Sequence, residues 1–336
     1  MKVNLEDLEG YEGIKKFAQA KGAFISLTYA CQCQCKHCGV SLFVKKNDVL
    51  LSTEEIKLKV LDRLKDCGID VAYFFGGEPT VHKDFVELVR YSTQKGLYTR
   101  ADTNGIKLTD KDFAKQVKDA GITFFLVSLD SIKPEIHDRF RGIPGSWEKA
   151  VQAIKNCVEI GISVGISTVV TKQSLKYKDT EKIIRLGKDL GVFKIRLLTP
   201  MMVGRWTNQD IKLTPEEIKE FKALLEPNFV FWEEWCDGTV PFVCASVTRW
   251  VVAISAYGDV QPCCYIPVSF GNVREEDLKT IIDKMWQTSY FKIDKENINR
   301  CDCPMNTPKM RDRLLKLYEG KTQFPVGYDE NLFSAE

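Results

Sequence analysis

The chain repeats one unit six times: a short β-branched or aromatic run, then an amphipathic run of helical period. The runs at 23–29 (AFISLTY), 71–75 (VAYFF), 98–102, 123–129 (TFFLVSL), 163–170 (SVGISTVV) and 194–198 (KIRLL) read as strands. Helical runs follow at 52–67, 83–95, 110–120, 147–160, 180–190 and 214–225. Ser52 is the expected N-cap of the first, with Glu55 in the capping-box position. Thr214 caps the last, with Pro215 at its first position. Strands joined through helices pair in parallel. The expected class is therefore α/β, a partial (β/α)6 barrel of TIM type followed by a small cysteine-rich domain. In such sheets chemistry sits at the C-terminal ends of the strands. The divisions are an extension at 1–22, the barrel at 23–227, the small domain at 228–308, and a closing helix and tail at 309–336.

The twelve cysteines say more once the compartment is set. No run of about 18 apolar residues appears, so no membrane span is expected. The N-terminus carries Glu6, Asp7, Glu9 and Glu12 and lacks the apolar stretch of a secretory signal. A net charge of +2 gives no global signal for nucleic acid or an anionic membrane. A cytoplasmic protein follows, and there thiols serve metal or redox chemistry rather than disulfides. Cys67 and Cys157 stand alone in helical patterns and read as small core residues. The other ten fall into two sets.

The first set is Cys31, Cys33, Cys35 and Cys38, just after the first strand. Cys31, Cys35 and Cys38 form C-x-x-x-C-x-x-C. Three thiolates at that spacing can hold three irons of a cubane and leave the fourth open to substrate or cofactor. Zinc is the alternative, on the same three with His37 or Cys33. The second set is Cys236, Cys244, Cys263, Cys264, Cys301 and Cys303.

Together with the βα rhythm, these residues resemble the radical S-adenosylmethionine (SAM) superfamily. Phe75-Gly-Gly-Glu-Pro79, ending the second strand, is similar to the family's GGEP motif. The resemblance implies that Gly76 and Gly77 let backbone approach the methionyl part of S-adenosyl-L-methionine, with Pro79 completing the turn. Glu78 would help hold the ammonium. Asn104, Ser128 and Thr168, at the ends of later strands, are implied contacts to its ribose or carboxylate. Cys31, Cys35 and Cys38 would carry the 4Fe–4S cluster, with His37 where the family commonly has an aromatic residue. The implied chemistry is reductive cleavage of SAM to a 5′-deoxyadenosyl radical, which abstracts a hydrogen atom from substrate. A one-electron donor such as flavodoxin or ferredoxin is implied with it.

The stretch around Ile136-His-Asp138, Arg141-Gly142 and Gly145-Ser-Trp-Glu148, and the second cysteine set, resemble the subgroup with a C-terminal SPASM or Twitch domain. Cys244, Cys263, Cys301 and Cys303 would ligate one auxiliary 4Fe–4S cluster. Cys236 and Cys264 are left over, and either could return a hydrogen atom to a substrate radical. With about 22 residues before the first strand, no fused peptide-recognition domain is expected. The leading expectation is oxidation or maturation of a peptide or protein residue. The alternatives are dehydrogenation or epimerisation of a small molecule such as a sugar or aminocyclitol, and maturation of another cofactor. A non-enzymatic iron–sulfur or zinc protein is the competing class. Trp206, Phe231, Trp232, Trp235 and Trp250 are candidates for a substrate wall near the domain junction, or for core.

Overall fold

The computed structural model describes residues 21–40, 43–44, 48–201, 204–206, 211–232, 245–246, 249–288, 312, 316 and 324–329. Six strands appear where the periodicity placed them: β1 (Gly22–Thr28), β2 (Val71–Gly76), β3 (Tyr98–Thr103), β4 (Phe124–Ser128), β5 (Val164–Val169) and β6 (Lys194–Leu198). They pair in parallel and in chain order, as in a partial barrel.

Helical segments separate them: a run from Thr53 to Cys67 (α1), then α2 (Phe85–Gln94), α3 (Lys111–Asp119), α4 (Pro134–Arg141), α5 (Ser146–Ile160), α6 (Lys172–Lys176) and α7 (Asp179–Leu190). After β6 comes α8 (Pro215–Lys222). The expected capping box of Ser52 with Glu55 is formed, and Thr214 is the N-cap of α8 as expected, closing a further capping box with Glu217. The middle of α1, Ile56–Leu61, is wound as π-helix. The short helices α4 and α6 were not foreseen.

Period-two alternation divides the sheet. Ile25, Leu27, Ala72, Phe74, Ala101, Phe125, Val127, Ile166, Ile195 and Leu197 belong to one core cluster with residues of the helices, among them Leu61, Leu88, Val117, Ile154 and Ile183. Their strand neighbours point inward, and this face is polar towards the strand ends, with Asp102, Ser128, Ser167 and Arg196.

Past residue 228 the chain does not simply start a separate body. Strand β7 (Val230–Trp232) pairs in parallel with β6 at one end of the sheet. Strand β8 (Val251–Ile254) pairs in parallel with β1 at the other, Gly22 opposite Val251, and β9 (Val260–Gln261) folds back antiparallel. The result is a nine-stranded sheet, β7-β6-β5-β4-β3-β2-β1-β8-β9. The hairpin that turns at Tyr257-Gly258-Asp259 is thus part of the same sheet as the barrel. Strand β10 (Val268–Ser269) and helix α9 (Leu278–Gln287, capped by Asp277) follow, and β10 pairs with β11 (Val326–Gly327). The expected closing helix at 309–318 lies outside the described residues apart from 312 and 316, as does the extension before 21. Among the described residues no helix is long and apolar enough to cross a membrane.

Candidate active site

A cavity of about 490 Å³ opens on the inner face at the C-terminal ends of the strands. One wall is the loop after β1 with Cys31, Cys33, Cys35 and Cys38. Cys263, Cys264 and Tyr265, from the turn after β9, line the same cavity. The sheet thus brings members of both cysteine sets to one space, though 230 residues separate them in sequence.

The cysteine loop is held from two directions. The N–H groups of Gln34 and Lys36 donate to the Arg141 and Phe140 carbonyls, 2.9 and 3.0 Å away, at the C-terminal end of α4. Gly142 follows with φ +71°, and a Cβ there would stand 2.7 Å from the Gln34 carbonyl oxygen. Glycine is required both by the left-handed backbone and by that approach. From the other side the Arg205 guanidinium donates to the carbonyls of Gln34 and Cys35, at 2.9 and 3.2 Å.

Arg141 does more. Its Nε and Nη2 donate to Asp130 Oδ2 at 2.7 and 2.6 Å, and its Nη1 lies 3.7 Å from Cys35 Sγ. Asp130 Oδ1 accepts from the Val169 N–H at 3.0 Å. Burial alone would raise the Asp130 pKa, but the Arg141 charge holds it below the ordinary carboxylate range. A hydrogen bond from Cys33 lowers the Cys35 thiol to about 6, against burial and with help from Arg141. The Cys33 hydrogen bond likewise lowers Cys31, while Cys33 itself is raised by its two thiol partners. Cys31 and Cys35 are thus readied to become thiolates, the ligand form.

Cys33 is not a surface residue: it is 9% exposed, beside Cys31 and Cys35. His37 stacks on Phe140, 4.7 Å between ring centroids, with Trp206 at 5.7 Å, so it fills an aromatic slot. Burial pulls its pKa down to about 4. Among the described residues no three Cys, His, Asp or Glu side chains are packed as a single-ion site. The donor set available is four thiols along one cavity wall, with backbone and a guanidinium around them.

The turn after β2 packs against the start of this loop. Gly77 N–H donates to the Thr28 carbonyl at 2.7 Å and Glu78 N–H to that of Ala30 at 2.9 Å. A Cβ on Gly76 would be 2.3 Å from the Thr28 oxygen, and one on Gly77 would be 2.4 Å from that of Ala30. The close approach these glycines permit is thus to the backbone leading into Cys31. Glu78 is buried. Its Oε1 accepts from Thr80 N (3.2 Å), Thr80 Oγ1 (2.5 Å) and Thr103 Oγ1 (2.7 Å), and Oε2 from Asn104 N (2.7 Å). Burial raises its pKa against those four bonds. Each carboxylate oxygen offers about two acceptor positions, and Oε2 uses one of its two, for Asn104 N, so one on Oε2 remains. No ion pair to Glu78 occurs among the described residues. Pro79 starts a short 3-10 turn beneath the site and does not line the cavity.

Asn104 and Ser128 line the cavity as expected, and Asn104 Nδ2 donates to Gln32 Oε1 at 3.0 Å. Thr168 does not. Its neighbours Ser167 and Val169 face the cavity, and Thr168 points to the helix side. A group missed from sequence lies on the floor. Asp102 Oδ1 accepts from Arg100 Nε and Nη2 (3.1 and 2.7 Å), and Oδ2 from Arg196 Nη2 (2.6 Å). Arg196 also donates to Ser167 Oγ. The signal was the spacing: Arg100 and Asp102, two apart in a strand, must share a face.

Cys264 sits beside this group. Burial pushes its thiol pKa well up, with Cys263 and Asp102 adding to the rise, so it stays protonated. Cys236, Cys244, Cys301 and Cys303 lie outside the described residues, as does Trp235. Trp206 and Trp232 line the cavity, and Phe231 is in the core. Cys67 and Cys157 are core residues, as read.

Comparisons with known proteins agree with this layout. The family model for the radical SAM superfamily matches residues 25–187, and that for an iron–sulfur cluster-binding SPASM domain matches residues 244–304. An AdoMet-dependent heme synthase of Oleidesulfovibrio alaskensis is 28% identical over 305 residues, 82% of this chain and 77% of that protein. A PqqA peptide cyclase of Rhodopseudomonas palustris is 34% identical over 151 residues, 45% of this chain and 40% of that protein. Among solved structures, SuiB of Streptococcus suis bound to S-adenosylmethionine superposes with a TM-score of 0.66 at 15% identity, covering 98% of this chain and 82% of that one. The same protein with its precursor peptide SuiA gives 0.64 at 15%, covering 98% and 80%.

Proposed function

The chain belongs to the radical SAM superfamily and carries a C-terminal SPASM domain, and from that premise we propose an oxidative maturase: an enzyme that takes a hydrogen atom from a substrate in the cavity and passes an electron to a second cluster. The observation that carries this is that Cys263 and Cys264, of the second cysteine set, line the same cavity as Cys31, Cys33, Cys35 and Cys38. Cys31, Cys35 and Cys38 hold the first 4Fe–4S cluster, and the lowered thiols of Cys31 and Cys35 suit thiolate ligation. Cys263, with Cys244, Cys301 and Cys303, holds one auxiliary cluster. Together SAM and the first cluster supply reductive sulfonium cleavage and hydrogen abstraction when bound. The protein's own work is placement: Arg141 fixes the cysteine loop, and Trp206 and Trp232 keep water from the cavity. The free acceptor position of Glu78 faces the SAM ammonium, and Asn104, Ser128 and Ser167 offer polar contacts.

A peptide or protein residue is the proposed substrate. The named activity of the peptide cyclase and the precursor peptide bound to SuiB support this class. A second reading, maturation of a haem precursor, is favoured by one observation: the heme synthase matches 82% of the chain, the cyclase 45%. Anaerobic incubation with SAM and dithionite, with mass spectrometry of each candidate, separates them. The class that yields stoichiometric 5′-deoxyadenosine with a shifted substrate mass is the substrate. Epimerisation rests on Cys264, whose protonated thiol faces the cavity. It predicts one deuterium in the product from D2O, which oxidation does not.

Two clusters require about eight irons per chain. A count near four in the parent protein would already defeat the proposal. Replacing Cys301 and Cys303 by Ala is expected to lower the count to about four, to preserve SAM cleavage and to abolish the oxidised product. Normal product formation would exclude the auxiliary cluster as electron acceptor.

Glu78→Gln is expected to weaken SAM binding by roughly tenfold to a hundredfold, the loss of a charge-assisted contact of about 1.5–3 kcal/mol. Iron content should stay unchanged. Unaltered SAM affinity would leave Glu78 only its role in tying the turn to β3.

A further inference from the structure

We propose that Cys33 is a displaceable fourth ligand, a thiolate that occupies the open iron of the N-terminal cluster until SAM takes that position. This rests on the reading of Cys31, Cys35 and Cys38 as the three fixed ligands.

Four observations support it. Cys33 is 9% exposed and lines the same cavity as the other three cysteines. Its thiol hydrogen bonds to those of both Cys31 and Cys35, so it reaches the space their sulfurs reach. Its N–H is turned towards Cys31 Sγ, 3.3 Å away, which folds the loop inward at this residue. The next residue, Gln34, is tethered on both sides, to Arg141 and to Arg205. The backbone that carries Cys33 is therefore held in place beside Cys31 and Cys35. A C-x-x-x-C-x-x-C motif needs only a non-ligand here. A buried thiol placed among thiolates, next to a thiophilic iron with a vacant coordination position, competes for that position.

The exchange balances without redox change. When SAM binds the iron directly, the Fe–S bond to Cys33 breaks and a bond to SAM forms. The released thiolate takes a proton from solvent, and no electron moves. The cluster is thereby fully ligated between turnovers, closed to oxygen and to loss of its fourth iron. SAM affinity is lowered by the competition.

The test compares parent, Cys33→Ala and Cys33→Ser proteins, reconstituted anaerobically and reduced with dithionite. The readouts are iron content, electron paramagnetic resonance with and without SAM, and SAM affinity by equilibrium dialysis. Cys33→Ala should keep the parent's iron and show altered SAM-free g-values that converge with the parent's once SAM is added. It should bind SAM at least about tenfold more tightly, a gain of about 1.4 kcal/mol. Cys33→Ser, with a weaker oxygen ligand, should fall between. Identical SAM-free spectra and equal SAM affinity would overturn the proposal. So would loss of iron in Cys33→Ala, since Cys33 would then be an obligatory ligand. The triple replacement of Cys31, Cys35 and Cys38 by Ala serves as the separate control. Undiminished iron there would defeat the three-ligand reading itself, whatever Cys33 does.

Discussion

Replacing Cys31, Cys35 and Cys38 together by Ala is expected to abolish 5′-deoxyadenosine formation and to remove about half of the iron from anaerobically reconstituted protein. The triple variant is the informative one. Cys33 lies among these thiols, buried and within hydrogen-bond reach of two of them, so it can stand in for a single lost ligand. All three substitutions leave Cys33 alone, and one thiolate does not hold a cubane. The second cysteine set is untouched, so the remaining iron should stay. Iron analysis and chromatography of the nucleoside product read both halves. Retained SAM cleavage in the triple variant would sink the assignment of the cluster to this loop.

The second large effect concerns stability. Arg141→Met is expected to destabilise the protein by about 3–5 kcal/mol, the usual cost of stranding a buried charge. Asp130 would lose both guanidinium bonds, at 2.7 and 2.6 Å, with its side chain 4% exposed. The cysteine loop would lose its contact at Cys35 as well, so cluster content should fall with stability. Arg141→Lys keeps a charge but not the planar fork and should recover only part of the loss. Denaturant unfolding of the apoproteins measures the first effect and iron content of the reconstituted proteins the second. Unfolding midpoints equal to the parent's would show that Asp130 is satisfied without Arg141. The pH dependence follows from the depressed Asp130 pKa. The stabilisation it contributes is fully present above the unfolded carboxylate value of about 3.9. It is lost as pH falls through the lower folded value, because the unfolded chain takes up the proton first. In Arg141→Met that acid limb should shift to higher pH.

Much of this was legible in the chain, and the exceptions have physical causes. The six strands, the Ser52 capping box and the Thr214 N-cap could be read because they rest on local spacing. The cysteine motif and the glycine turn could be read because few residue types do that work. The phase of β5 could not. All six residues of Val164–Val169 are buried, so hydrophobicity does not say which face is inner. Thr168 was expected where Ser167 stands. Helix α4 was missed because its eight residues, PEIHDRFR, carry little apolar pattern. Yet its last carbonyls and Arg141 fix the cysteine loop. The Arg100–Asp102–Arg196 group joins β3 and β6, which are far apart in sequence and separated by β4 and β5 in the sheet, and only the tertiary fold brings them together. The pairing of β8 with β1 is likewise non-local, and a division at 228 hides it.

That pairing has a kinetic meaning. Cys31 follows β1 by three residues, and Cys263 follows β9, whose partner β8 is bonded to β1 along Gly22–Ile25. The two cysteine walls are therefore ends of one hydrogen-bonded lattice, not parts of bodies joined by a hinge. Electron tunnelling slows exponentially with separation, so a donor and acceptor on a hinge exchange electrons only during the microsecond-to-millisecond excursions that bring them close. On a shared sheet the gap is a constant of the fold. Under the proposed function, the timing of electron transfer is then set by substrate binding rather than by a motion of the walls.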